Sequence, residues 1–362
     1  MIKEVFEAKI DYLQVMDENG VVDESQRPQE IDDNMLIIMY KNMLLARQYD
    51  AKQLSLQRQG RSVTYAPLLG EEATQIGSAM AMRKDDLFVP AFRQHGVYIV
   101  RNLPIDLLFL YWRGFEEGAA IPKSVKGYAN IVPVATQMPH ATGIAFAQKY
   151  KETGNAVVSY VGDGGTSEGD FYEAINFAGV WKVPLVSIIE NNQWAISIPR
   201  KNQTAAVTLA QKAEAAGYDN ENIIQVDGND VIAVYKATKE AIQKSIQGPS
   251  IIECITFRMG IHTTADDPTK YRSQEEVDYW QKRDPILRVK LYLTKKGIWS
   301  DDMEKQYLDQ IGMAIDAAVD KAEKFSPDPK VMFDHIYSYI PDVLQEELDE
   351  AKDANFWQEE QS

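Results

Sequence analysis

The chain has 362 residues, 45% of them apolar and 25% charged, and its 54 acidic side chains outnumber 38 basic ones for a formal charge of −16. That length buries one large or two ordinary cores, while the acidic balance, with no Lys/Arg block, excludes a nucleic-acid binder and argues against docking on an anionic membrane. The lone Cys254 excludes an intrachain disulfide framework and a multi-thiolate metal site, and without a spanning apolar run or a signal-type start the sequence predicts a soluble, cytoplasmic protein.

Residues 1–30 read as an N-terminal arm: Tyr12 to Met16, the Asn19-Gly20 turn and Val21-Val22 have the pattern of a short hairpin, closed by Pro28. Residues 31–285 read as the main domain. Asp32 and Asp33 cap a helix in which Met35, Met39 and Met43 recur every four residues beside Leu36 and Leu44, a core stripe rather than a metal-binding run, with Gly60 as its stop after Arg58. From about 85 to 257 short β-rich runs alternate with helical stretches. The runs are Leu87 to Val89, Val157 to Val161, Leu185 to Ile189, Ile223 to Val226 and Ser250 to Phe257. Uninterrupted apolar strands separated by helix-length segments predict an α/β fold, a mostly parallel sheet with helices on both faces. Cys254 sits inside the last run as buried filler. Residues 286–362 read as a helical C-terminal extension, with Tyr307, Ile311, Ala314, Ile315, Ala318 and Ala322 on one helix face and an acidic tail from Asp342 that is only partly ordered.

One stretch carries chemistry. Gly162-Asp163-Gly164-Gly165 leaves a strand directly and leads, through Gly169, into a helix with Phe171, Ala174, Ile175 and Ala178 on its buried stripe. Pro184 restarts a strand that ends in Glu190-Asn191-Asn192. The intervening segment has the length of a right-handed crossover, so the two strands are expected to be parallel neighbours with tips about 5 Å apart. Asp163 and Asn192 then face one crevice at the carboxyl edge of the sheet, where open α/β sheets place ligands. A carboxylate and an amide oxygen suit Mg²⁺ or Ca²⁺, while adjacent glycines and a helix start suit a phosphate. Two better-known glycine motifs fail: Asp170 stands where a P-loop needs Lys, and Ser167 breaks the dinucleotide pattern. These residues alone leave two readings open, a diphosphate held through a divalent cation and a tight turn with a solvated acidic cap.

Gly162-Asp163-Gly164 followed by Asn191-Asn192 resembles the thiamine diphosphate signature, and the whole chain from about Tyr12 to Tyr339 resembles the alpha subunit of the decarboxylating first component of 2-oxo acid dehydrogenase complexes. The shared motifs include Arg58 to Arg61, Gly70 to Ala73, Phe92-Arg93, Ala135 to Pro139, Val226 to Asp230 and Asp266 to Arg272. The resemblance implies that Asp163, the Asn192 side chain and the Trp194 backbone carbonyl ligate Mg²⁺. It implies that Gly164, Gly165 and Arg93 contact the diphosphate of thiamine diphosphate, with Phe92 in the place of a usual Tyr. Val132 and Val134 would form a strand end flanking the aminopyrimidine. His262, in a mobile loop, would reach the cofactor and promote acyl transfer to a lipoyl group. By its own residues the pair Asp266-Asp267 reads as a loop anchor for Tyr271-Arg272 rather than a metal site, and Thr263 stands where animal relatives carry a phosphorylatable Ser, so kinase control does not carry over.

The family's proton-donating glutamate comes from a beta subunit, so the resemblance implies an α2β2 assembly that is inactive as the alpha chain alone and works with a lipoyl-bearing transacylase core. For the substrate, the apolar Phe92, Val132 and Val134 favour a branched-chain 2-oxo acid, with pyruvate close behind. An acetoin dehydrogenase alpha subunit and a non-catalytic α/β scaffold are the alternatives.

Overall fold

The computed structural model describes residues 2, 3 and 5–353. The end of the acidic tail, 354–362, therefore lies outside the described residues, and its earlier part, Asp342–Asp353, is a helix.

The strands are β1 (Asp11–Leu13), β2 (Leu87–Val89), β3 (Val157–Gly162), β4 (Leu185–Asn191), a two-residue pair β5 (Trp194–Ala195) and β6 (Ile198–Pro199), β7 (Ile223–Asp227) and β8 (Ser250–Ile255). The six longer ones form one sheet in the order β1-β7-β8-β4-β3-β2, parallel throughout. The helices are α1 (Asp33–Arg58), α2 (Glu72–Ala81), α3 (His95–Val100), α4 (Ile105–Trp112), α5 (Gln137–Tyr150), α6 (Gly169–Trp181), α7 (Lys212–Ala215), α8 (Val231–Lys244), α9 (Gln274–Gln281), α10 (Pro285–Lys295), α11 (Asp301–Glu323) and α12 (Asp342–Asp353).

The unbroken apolar runs follow from burial on both faces. Val158, Tyr160, Val186 and Ile188 point into a core shared with α1, α2 and α8. The alternate residues Val157, Val161, Leu185 and Ile189 point into a second core under α5, α6 and α7. A strand's side-chain period of two makes this division automatic, and each such side chain removed from water contributes about 1.5–3 kcal/mol. Cys254 is one of the buried residues of the first core.

The arm and the C-terminal helices are built into that same first core. Val15 and Met16 enter it, as do Ile286, Val289 and Leu293 of α10 and Ile311, Ile315 and Val319 of α11. Only part of the expected arm is a hairpin: Met16 bridges Val22 antiparallel across the Asn19-Gly20 turn, but β1 itself joins the sheet edge beside β7, in parallel. On α1 the sequence signals act as read, since Asp32 accepts from the Met35 N–H at the start and Gly60 turns left-handed just past the end, at φ +73. Among the described residues no helix is long and apolar enough to cross a membrane.

Candidate functional site

The carboxyl ends of β2, β3, β4 and β8 surround a cavity of about 440 Å³. In-register pairing sets Gly162 opposite Glu190, so the residues that follow each strand, Asp163 and Asn191-Asn192, leave the sheet side by side. After β8 the chain stays tethered to the same tip: Thr256 N–H donates to the Asn191 carbonyl at 3.0 Å and Arg258 N–H to the Asn192 carbonyl at 3.2 Å. This brings Arg258, and four residues later His262, to the cavity wall.

The glycines allow the close approaches. A Cβ on Gly164 would stand 2.6 Å from the Ala195 Cβ, and one on Gly165 would stand 2.6 Å from Val161. Opposite them Gly70, at φ +103, lets the start of α2 press against the Phe257 carbonyl, where a Cβ would meet the oxygen at 2.1 Å. Glu71 is thereby placed beside Asn192.

The cavity floor is an unusual concentration of buried polar groups. Asp163 is 3% exposed and accepts from Gln203 Nε2 at 3.1 Å; burial pushes its carboxyl up to about 6. Asn192 donates through Nδ2 to Glu71 Oε1 at 2.8 Å, leaving its amide oxygen with the Trp194 N–H at 3.3 Å. Burial raises Glu71 to about 7 against the pull of Arg93, whose Nε lies 3.8 Å away. Glu190, which accepts from Gln94, is raised further by burial and by Glu71. One oxygen of each carboxyl, Glu71 Oε2 and Glu190 Oε1, has no hydrogen-bond partner, which is costly unless a proton, cation or ligand satisfies it.

The opposite wall is cationic. Arg93 donates through Nη1 to the Pro67 carbonyl and through Nη2 to the His262 carbonyl at 3.1 Å. Arg93 Nη2 and Arg258 Nη1 lie 3.2 and 3.3 Å from His262 Nδ1. Guanidinium groups only donate, so Nδ1 is the acceptor and the ring proton sits on Nε2. Burial, followed by the two arginines, lowers His262 to about 3, so the imidazole is neutral near pH 7. Burial beside Arg93 also lowers Arg258 to about 10. Asp266 anchors the loop by accepting from the His262 N–H at 2.8 Å and from the Tyr271 hydroxyl, the loop-anchor role read for the acidic pair.

Nine of the ten expected site residues line this cavity: Phe92, Arg93, Val134, Asp163, Gly164, Gly165, Asn192, Trp194 and His262. Val132 does not; it is 54% exposed and lies outside the lining. The strand end expected there is absent, since residues 133–136 form a turn into α5. Pro133 has no N–H to give to a ladder, and Ala135 turns the chain at φ +66. The Trp194 carbonyl already accepts from Arg258 Nη1 at 3.0 Å, so a cation there would use the oxygen's other lone pair. Among the described residues no three His, Cys, Asp or Glu side chains gather as a metal cluster, and the expected carboxylate, amide and carbonyl set is not of that kind.

Sequence reading gave no role to Glu71, Glu190, Gln94, Gln203 or Arg258. Glu190 carried a signal, an acidic residue ending an otherwise apolar strand, and Glu71 stood inside a quoted motif, while Arg258 directly followed the last β-rich run. Gln203 gave none.

Fold and site together define a parallel-sheet α/β protein with a polar ligand cavity at the carboxyl edge of its strands. A family model described as dehydrogenase E1 component matches residues 40–330. The chain is 41% identical over 342 residues to a pyruvate dehydrogenase E1 component subunit alpha from Acholeplasma laidlawii, covering 93% of this chain and 98% of that one. It is 40% identical over 352 residues to the protein of that name from Staphylococcus aureus strain Mu50, covering 96% and 94%. It therefore belongs to the dehydrogenase E1 component family, among the alpha subunits of the first components of 2-oxo acid dehydrogenase complexes.

Proposed function

We propose that this chain is the alpha subunit of a pyruvate dehydrogenase first component, that it binds thiamine diphosphate through Mg²⁺ in the cavity at the β3 and β4 tips, and that it works with a beta subunit and a lipoyl-bearing transacylase core. The observation that carries the reading is the convergence of Asp163, Asn192, Gly164, Gly165, Arg93 and His262 on one cavity from four separate strand ends. The branched-chain preference expected from the sequence gives way to pyruvate, named in the relatives above. Val132, one of the three apolar residues behind that preference, lies off the cavity.

The residues fit the cofactor. A buried Asp163 held at a raised pKa gains from a cation, the Asn192 oxygen is turned away from Glu71, and the Gly164-Gly165 turn admits a phosphate without a Cβ in its way. Asp163, Asn192 and the second lone pair of the Trp194 carbonyl would hold Mg²⁺. When bound, thiamine diphosphate supplies the nucleophilic carbon and the electron sink that decarboxylation requires. Arg93 and Arg258 fix the His262 tautomer, so that Nε2 presents a proton from a neutral ring. The carboxylic acid that acts on the aminopyrimidine is assigned to the beta subunit, as the resemblance implies.

The test is steady-state turnover of the chain co-purified with its beta subunit and transacylase core, with pyruvate, 3-methyl-2-oxobutanoate and acetoin compared. Pyruvate is expected to lead, and the alpha chain alone is expected to be inactive. Failure of the complex to bind thiamine diphosphate with Mg²⁺ would sink the reading and favour a scaffold. Leading turnover of acetoin or the branched substrate would reassign the substrate alone. His262→Ala is expected to spare cofactor binding and slow lipoyl acylation by roughly 10²–10⁴-fold; an unaltered single-turnover acylation rate would reduce His262 to a loop residue.

A further inference from the structure

Lys212 opens α7 and is 6% exposed, yet the groups that its ammonium touches are all uncharged. Its Nζ donates to the Thr166 carbonyl at 2.6 Å and to the Thr166 hydroxyl at 3.0 Å. The Tyr172 ring lies 5.1 Å away and the Phe171 ring 6.0 Å, both at the start of α6. Thr166 belongs to the short turn Gly164–Ser167 that forms one wall of the cavity. The Thr166 hydroxyl also donates to the Asp163 carbonyl at 2.7 Å, so the ammonium, the turn and the Asp163 backbone form one connected unit.

A buried cation costs several kcal/mol in lost hydration unless an opposite charge offsets it. Carbonyl, hydroxyl and π-face contacts satisfy the donors of Lys212 and leave its charge uncompensated. The turn it grips is the one whose glycines leave room for an anion. A trans peptide points its C=O and N–H in opposite directions. Holding the Thr166 carbonyl toward Lys212 therefore fixes the orientation of the Thr166–Ser167 peptide, and Ser167 lines the cavity.

We propose that Lys212 is a positioning residue for the diphosphate: it fixes the Gly164–Ser167 turn from behind and supplies the charge that the bound diphosphate completes. This rests on the diphosphate reading above. It predicts a selectivity for phosphate charge rather than for the thiamine rings.

The test measures affinities of thiamine diphosphate, thiamine monophosphate and thiamine, at fixed Mg²⁺, for the chain co-purified with its beta subunit. Lys212→Gln keeps a donor without charge, and Lys212→Arg keeps the charge. The Gln variant is expected to lose about tenfold in diphosphate affinity, less for the monophosphate, and under about twofold for thiamine. The Arg variant is expected to recover to within about threefold of wild type. The ligand-free unfolding temperature of the Gln variant should be no lower than that of wild type, because the charge it removes is buried without a counter-ion. Equal weakening of all three probes, or a Gln variant that fails to fold, would make Lys212 a merely structural support and overturn the inference. A wild type that favours the diphosphate beside a Gln variant with the same preference sinks this inference alone. A wild type with no preference for the diphosphate sinks the functional reading with it.

Discussion

At the tip of β7 and at the tips of β3 and β4 the same sheet edge carries buried acids, and their surroundings differ. Asp227 accepts from Asn229 N–H at 2.9 Å on one oxygen, and from Gln14 at 2.7 Å and Arg288 at 2.8 Å on the other. Asp230 caps α8 through one oxygen, at 3.0 and 3.2 Å, and takes the Val15 and Met16 N–H groups on the other, both at 2.6 Å. All four oxygens are engaged, and the result is a latch that fastens the arm and α10 to the sheet. At the other tip Glu71 and Glu190 each keep an orphan oxygen. At the joint every carboxyl oxygen is satisfied, although Arg288 Nε is left without a partner, whereas at the cavity carboxyl oxygens themselves are left open.

The contrast breaks most readily at Arg288, whose side chain is 1% exposed. Asp227→Ala would leave that guanidinium buried without its carboxylate, and a loss of about 3–5 kcal/mol is expected in urea unfolding. A loss under about 1 kcal/mol would mean the latch is not one. Asp163→Ala should do the reverse. Its ligand-free stability is expected to fall by less than about 1 kcal/mol, because burial already disfavours the carboxylate that is removed. Its Mg²⁺-dependent affinity for thiamine diphosphate, read by calorimetry on the co-purified complex, is expected to fall by about 100-fold. Stability and affinity lost together would erase the distinction between the two tips.

His95 sharpens the comparison as a buried titratable group outside the cavity lining. Its ring stacks on Tyr65 at 5.1 Å, its Nε2 lies 3.2 Å from the Ala66 carbonyl, and burial lowers it to about 3. Because the folded value lies below the unfolded one, this histidine favours the native state above about pH 6.5. That contribution is lost as pH falls from there toward 3, at up to about 1.4 kcal/mol per pH unit. His95→Asn should flatten the pH dependence of the urea midpoint between about pH 6 and 4; an unchanged slope would place the titration elsewhere. The smallest expected effect separates two valines. Val134→Ala should weaken cofactor binding by a few-fold, whereas Val132→Ala should leave it within about twofold. Equal effects would return Val132 to the site.

On the apolar side, local pattern and structure agree closely. The strands at Leu87, Val157, Leu185, Ile223 and Ser250 begin where the apolar runs begin, and Asp32 and Gly60 bound α1. On α11 the agreement is looser: Ala314 is exposed and Val319 is buried in its stead, because α1 and α4 together decide which arc of that helix is covered. At Val132 the resemblance misleads, since Pro133 and the turn at Ala135 prevent the strand end that it implies.

The sequence by itself determined the layered parallel sheet and the pairing of Asp163 with Asn192, because strand periodicity, crossover length and turn glycines are local properties. Only the tertiary structure decided that Glu71, Gln203, Arg258 and Lys212 join them. These residues come from the N-cap of α2, the segment after β6, the loop after β8 and α7, and no local spacing relates them. Their charges and hydrogen bonds acquire meaning from burial, which depends on every element packed around that sheet edge.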